Sequence, residues 1–205
     1  MEFGNALLGR ILAALALFLI QRGVVAEPAD VAGQAGGSGI YAGLGVAGIQ
    51  GSARASGSLS EHESDGSAVL RLAVGYTASL SSKFSIGAEI YDLPTHAKLG
   101  LGDETTNIVG LAVLPAYTLL PDTTLFLLVG VERARTNSPV ADWHTFNTNT
   151  PVYGAGISYS FARTLRIPVS LSVRVEQANY ERITYLTQTD LFKQTRYVVS
   201  VEWHF

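Results

Sequence analysis

"LAVGYTASLSSKFSIGAEIYDL", residues 72–93, reads as two amphipathic strands about a short polar turn. Leu72, Val74 and Tyr76 alternate with Ala73, Gly75 and Thr77; beyond the turn, Phe84, Ile86, Ala88 and Ile90 alternate with Ser85, Gly87 and Glu89. A period of two on either side of turn-forming residues predicts an antiparallel hairpin. The two faces are unequal in an informative way. One is large and apolar throughout, while the other is small residues interrupted by a carboxylate.

The same alternation continues on both sides of this hairpin. Upstream, Ile40, Ala42, Leu44 and Val46 oppose Tyr41, Gly43, Gly45 and Ala47, and within the quoted stretch's own first strand Leu70 opposes Arg71. Downstream, Val109, Leu111, Val113, Pro115 and Tyr117 oppose Gly110, Ala112 and Ala116, and Leu125, Leu127, Val129 and Val131 oppose Phe126, Leu128, Gly130 and Glu132. Tyr153, Ala155, Ile157, Tyr159 and Phe161 then oppose Gly154, Gly156, Ser158 and Ser160. Ile167, Val169, Leu171, Val173 and Val175 oppose Ser170, Ser172, Arg174 and Glu176, and Tyr197, Val199, Val201, Trp203 and Phe205 oppose Arg196, Ser200, Glu202 and His204. With no segment at a helical period, the chain is predicted to be all-β with eight strands. Connections are long and polar at 52–66, 94–106, 135–150 and 181–194, and short at 79–83, 121–123 and 162–166. That rhythm belongs to an up-and-down meander with one ragged and one trimmed end.

A soluble barrel must pack its large apolar residues inside and show polar ones to water. Here the apolar set is too continuous for such an interior, and the Gly, Ala and Ser face is what a narrow lumen requires. In lipid every backbone polar group must be paired within the protein, so a β structure spans only as a closed barrel with its apolar face outward. The expectation is an eight-stranded antiparallel up-and-down transmembrane β-barrel. Tyr76, Tyr117, Tyr159, Phe161, Trp203 and Phe205 share the outward parity and lie beside the short turns, as one membrane-interface girdle would. Tyr153 and Tyr197, at the starts of their strands, suit the opposite girdle.

The last residues, "YVVSVEWHF", alternate to a final phenylalanine. This resembles the terminal strand by which outer-membrane barrels are recognised for insertion. Residues 38–205 as a whole resemble the eight-stranded OmpA/OmpX-like outer-membrane barrels, a family of opacity-type and porin-like surface proteins. The resemblance implies an outer-membrane location in a Gram-negative envelope and contact with outer-membrane lipid and lipopolysaccharide. It also implies handling by the barrel-assembly machinery through the C-terminal strand, and a host or surface ligand at the long extracellular loops. The periplasmic domain of OmpA is not expected, since the eighth strand ends the sequence. Some barrels of this family deacylate or acylate lipid A with a His and a Ser or carboxylate near the outer rim. "SPVADWHTFNTN" offers Ser138, Asp142 and His144, with Glu176 on a neighbouring strand, so a lipid A-modifying enzyme is an alternative reading. A small-solute channel is a further one. The leading expectation is a non-enzymatic structural and surface-interaction protein, with no catalytic residue.

The start of the chain carries a different signal. Arg10, the apolar run "ILAALALFLI" and small residues ending at Ala26 read as a signal peptide over 1–26, too short a run to span a bilayer as a helix. Residues 27–37, polar and glycine-rich, read as a flexible periplasmic lead-in to a barrel domain over 38–205. At 205 residues one domain is expected, and the absence of cysteine removes disulfides and thiolate metal sites. A net charge of -3 without a basic block removes the electrostatic case for nucleic acid.

Gly43-Leu-Gly45-Val-Ala-Gly48 matches the letters of a dinucleotide fingerprint, but "SARASGSLS" follows where a helix must begin to receive a pyrophosphate. The acidic cluster Glu61, Glu63 and Asp65 does not repair that, and no cofactor is expected. His62, His96 and His204 have no metal-ligand spacing, so no metal is expected. Trp143, Phe146, Tyr185 and Phe192 read as rim anchors or contacts to a partner. Inward parity collects Arg71, Glu89, Glu132, Arg174, Glu176, Arg196 and Glu202, most at similar depth from the short turns. Isolated charges in a narrow interior are costly, so an ion-pair network plugging the lumen is expected.

Overall fold

The computed structural model describes residues 38–54, 61–98, 103–137, 147–184 and 188–205. Eight strands, β1 (Gly39–Arg54), β2 (Glu61–Ser79), β3 (Phe84–Lys98), β4 (Asp103–Leu120), β5 (Thr123–Asn137), β6 (Asn147–Ser160), β7 (Val169–Thr184) and β8 (Gln188–His204), follow one another around a closed barrel. All neighbours are antiparallel, and β1 closes on β8 through pairs such as Leu44↔Val201 and Tyr41↔His204. One helical turn, α1 (Ala162–Leu165), joins β6 to β7 and ends at Arg166 in the left-handed region, φ 56°. Residues 1–37, and with them the boundary at Ala26, lie outside the described residues.

The strands form because alternation lets one backbone satisfy two solvents. Leu128 is 1% exposed and its neighbour Val129 60%, so successive residues of a single strand face opposite environments. Leu72, at 41%, and Val173, at 46%, share the outward face, and no water-excluded centre gathers them. Following paired residues around the barrel, His204, Tyr41, Gly75, Glu89, Ala112, Gly130, Val152 and Ala178 lead back to β8 at Gln194, ten residues from the starting point. A stagger of that size with eight strands requires strongly tilted strands, which closes the sheet without an edge.

Three aromatic residues pack inward across a glycine on the next strand: Tyr41 opposite Gly75, Tyr91 opposite Gly110 and Phe126 opposite Gly156. A Cβ on any of these glycines would fall inside the facing ring. The small residues of the lumen wall thus seat particular rings as well as letting the walls approach.

The strands run further than their hydrophobic pattern. The described residues of the polar connections at 52–66, 94–106, 135–150 and 181–194 are strand, with pairing out to Arg54↔Glu61, Lys98↔Asp103, Arg135↔Asn147 and Thr184↔Gln188. Outside the membrane neither face must be apolar, so alternation disappears while the ladder continues. Two seams end early. Among the described residues β2 and β3 pair only from Ser79↔Ser85 to Leu72↔Asp92, and β6 and β7 only from Ser160↔Ser170 to Val152↔Ala178. Pro94 lies two residues beyond Asp92, and Pro151 immediately beyond Val152. Proline has no N–H to donate and is confined to strand edges. The outer rim therefore divides into two four-stranded extensions, β7-β8-β1-β2 and β3-β4-β5-β6.

Two substitutions test this description. Val129→Arg, on the lipid face, is expected to destabilise the barrel by about 2–4 kcal/mol if it lies near the midplane. Gly110→Ala, which drives a methyl group into the Tyr91 ring, is expected to cost about 1–3 kcal/mol as overpacking. Urea titration of folding into phosphatidylcholine vesicles reads both, and wild-type stability for either variant would contradict the assigned faces.

Candidate functional site

The lumen holds the densest polar chemistry among the described residues. Arg71 of β2, Glu89 of β3, Glu132 of β5, Arg174 and Glu176 of β7, and Arg196 of β8 all point inward and are at most 2% exposed. Arg71 Nη2 lies 2.7 Å from Glu89 Oε1 and 3.4 Å from Glu176 Oε1. Arg174 bridges the same two carboxylates, with Nη1 3.1 Å from Glu89 and Nε 3.3 Å from Glu176. These four groups form a closed ring of alternating charge. Arg196 extends it, with Nε 3.2 Å from Glu176 and Nη2 2.7 Å from Glu132. Three cations and three anions cancel, which is the condition for keeping such a cluster out of water.

Tyrosines complete the layer. Tyr41 Oη donates to Glu89 Oε2 at 2.9 Å, Tyr91 Oη donates to Glu132 Oε2 at 2.7 Å, and Tyr180 Oη also donates to Glu132. The guanidinium carbon of Arg71 lies 4.3 Å from the Tyr91 ring centroid, a cation–π contact in a dry setting. β4 and β6 contribute space: Gly110 faces Tyr91 and Glu132, Gly154 faces Glu176, and Gly156 faces Arg174. Moving outward along the same strands, the next inward residues are Val69 after Arg71, Ala134 after Glu132, Ala178 after Glu176 and Gln194 after Arg196. With Ile49, Leu93, Ile108 and Val152, these form a packed and mostly apolar layer over the charges.

Glu202 is half-buried and stands apart from the three guanidiniums, nearer the short turns. It accepts from Ser172 Oγ at 2.6 Å and from Ser170 Oγ at 3.3 Å; Ser172 also meets Ser200 at 2.8 Å, and Ser170 meets His204 Nε2 at 2.8 Å. Ser170 and His204 have the contact of a nucleophile–base pair. However, Ser170 lies within the β7 ladder, paired with Ser160 and Glu202 on its two sides. Its neighbouring N–H groups are thus committed to the sheet, whereas acyl transfer needs donors aimed at a developing oxyanion.

Of the girdle positions, Tyr76, Tyr159, Trp203 and Phe205 are exposed, and Tyr117 and Phe161 are half-buried. The last two stack edge-on, Tyr117 on Phe84 at 5.1 Å and Phe161 on Tyr159 at 5.2 Å between centroids. Ser138, Asp142, Trp143, His144, Phe146 and Tyr185 lie outside the described residues, while Glu176, once a candidate partner for His144, is held among three arginines. The sequence reading passed over Tyr91 and Tyr180 as lumen groups. Tyr91 continues the parity of Glu89 one step past Ile90, and Tyr180 continues that of Glu176 into a polar stretch, so extending each inward row would have found both.

Solved structures share this fold. The attachment invasion locus protein Ail of Yersinia pestis, solved with the heparin analogue sucrose octasulfate, is 12% identical with a TM-score of 0.52, over 82% of this chain and 99% of that one. Neisserial surface protein A is 15% identical with a TM-score of 0.57, over 82% and 98% of the two chains. The outer membrane protein AlkL, solved by solid-state NMR in lipid bilayers, is 13% identical with a TM-score of 0.53, over 82% and 90%. At such identities the likeness is one of fold. No curated protein matches the chain. Residues 11–205 match the family of the outer membrane protein beta-barrel domain, and the chain, an eight-stranded barrel with its apolar face outward, belongs to that family and to the outer membrane.

Proposed function

We propose that this protein is a non-enzymatic scaffold of the outer membrane, plugged at its centre, whose four outer hairpins make its surface contacts. The observation that supports this reading is the electrically neutral layer of charged side chains across the lumen. Six charged side chains at 0–2% exposure pair three cations with three anions across the lumen, with apolar side chains packed on their outer side. A solute crossing that layer would have to separate buried ion pairs, each step leaving a charge uncompensated in a low dielectric. Chemistry useful to a cell then falls to the rim, where four hairpins continue as paired strands past the apolar band. Rigid strands hold side chains for recognition more closely than slack loops do.

In planar bilayers the purified barrel is expected to show no steady current of porin size, and such a current would overturn the plug. Glu176→Ala leaves three guanidiniums around an empty position. It is expected to destabilise the barrel by about 3–5 kcal/mol and to admit an anion-selective leak. Lipid A from cells with and without the protein is expected to have the same acyl pattern by mass spectrometry. An altered pattern lost in His144→Ala or Ser170→Ala would replace the scaffold reading with an enzymatic one.

A further inference from the structure

Among the described residues of the lumen, one carboxylate stands outside the ion network. Arg71, Arg174 and Arg196 are matched by Glu89, Glu132 and Glu176, and Glu202 of β8 takes part in no ion pair. The plug therefore has no surplus positive charge to offer it. Arg174, two residues outward of Ser172 on β7, turns to Glu89 and Glu176 instead.

The hydrogen bonds around Glu202 have a definite direction. An ionised carboxylate only accepts, so the hydroxyl protons of Ser172 and Ser170 point to Oε1 and Oε2. A hydroxyl has one proton to give. Ser200 must then donate to Ser172, and His204 must donate its Nε2 proton to Ser170. Two chains of donors, Ser200–Ser172 and His204–Ser170, thus converge on the two oxygens of one carboxylate. All four donors can be neutral, and each oxygen keeps a further lone pair.

The strands on either side leave room there. Across β7 the residues form two rows, Ser158↔Ser172↔Ser200 and Ser160↔Ser170↔Glu202, and on the opposite side β1 presents Gly45 and Gly43. A Cβ at Gly43 would come 3.3 Å from Glu202 Cγ, and one at Gly45 would strike Ser200. Two glycines with the spelling of a dinucleotide motif therefore make space for this cluster. Ser158, Ser160, Glu202 and His204 are all half-buried, unlike the ion network at 0–2%, so solvent reaches the recess from the end of the short turns.

We infer that this inner mouth of the barrel binds a small monovalent cation, an alkali metal ion or ammonium, on Glu202, with the serine hydroxyls beside it as neutral oxygen ligands. A carboxylate in a narrow interior is costly without a countercharge, and here the countercharge has to come from solution. One anion among neutral hydroxyls matches a single positive charge, whereas sites for divalent ions gather more oxygen ligands and more carboxylates. The inference goes beyond the scaffold reading, since it concerns the recess below the plug and stands whatever the outer hairpins contact.

The test titrates the whole isotope-labelled barrel, in phosphatidylcholine nanodiscs, with sodium, potassium or ammonium chloride. N-methylglucamine chloride, whose cation is too bulky for the recess, holds the ionic strength constant. Saturable amide shifts at Ser170, Ser172, Ser200 and Glu202 are expected with at least one of the three small cations, and comparison of the three arms tells metal ion from ammonium. Glu202→Gln keeps the shape and removes the charge, and is expected to bind about tenfold or more weakly, as loss of a charged partner implies. Magnesium chloride is expected to bind no more tightly than the best monovalent ion. The absence of any saturable shift, equal binding by Glu202→Gln, or tighter binding of magnesium would each overturn the site. Should Glu202→Gln not fold, Glu202→Asp, which withdraws the carboxylate by one methylene, is expected to bind about threefold more weakly, and wild-type binding by it is the overturning result.

Discussion

A peptide group in hydrocarbon has no water to bond to, so each one between the two boundaries of the apolar band must find its partner in the same chain. For strands this leaves one solution, a sheet whose first and last members meet. The pairing of β1 with β8, from Tyr41↔His204 outward, is therefore the contact on which the others depend. Closure then fixes the assignment of faces. With lipid outside, Leu44, Val129 and Val201 can be exposed without penalty, and the inward residues must solve a packing problem in a narrow space.

The lumen meets that problem with charge and with glycine together. A purely apolar filling would also close it, and replacing a buried ion network with well-packed hydrophobes is often neutral or stabilising. What the ring of Arg71, Glu89, Arg174 and Glu176 adds is registry. A one-residue slip of β7 against its neighbours would send Arg174 and Glu176 into lipid and strand their partners, so the charges make mispairing far more costly than apolar residues would. The glycines permit it. Gly154 and Gly156 lie opposite Glu176 and Arg174, and larger residues there would leave no room for the layer.

Much of this was legible in the sequence, and the part that was not has a physical cause. Alternation revealed the strands wherever lipid forced one face to be apolar, as along Leu125–Val131. Beyond the band that force vanishes, which is why the paired stretches at 52–54, 61–66 and 181–184 looked like loops. Inward parity gathered the charged residues by type, but depth along a tilted, staggered barrel is not depth along the chain. Glu202 shares its parity with Arg196, yet it stands six residues nearer the inner end of β8 and joins serines and His204 instead. The tyrosines were hidden for another reason: a Tyr reads as an interface residue, and only the facing Gly110 and the Glu132 carboxylate show why Tyr91 is inside.

The divided rim follows from the same hydrogen-bond constraint once its domain ends. Inside the membrane an unpaired edge is prohibitive; outside, water pairs the freed groups and an edge becomes a hazard of association instead. Pro94 and Pro151 sit where β3 and β6 leave their neighbours, and each removes a donor from an edge that would otherwise invite another strand. The two seams are four strands apart, and among the described residues no strand pairing joins the two extensions above them, while both are anchored in the closed band below.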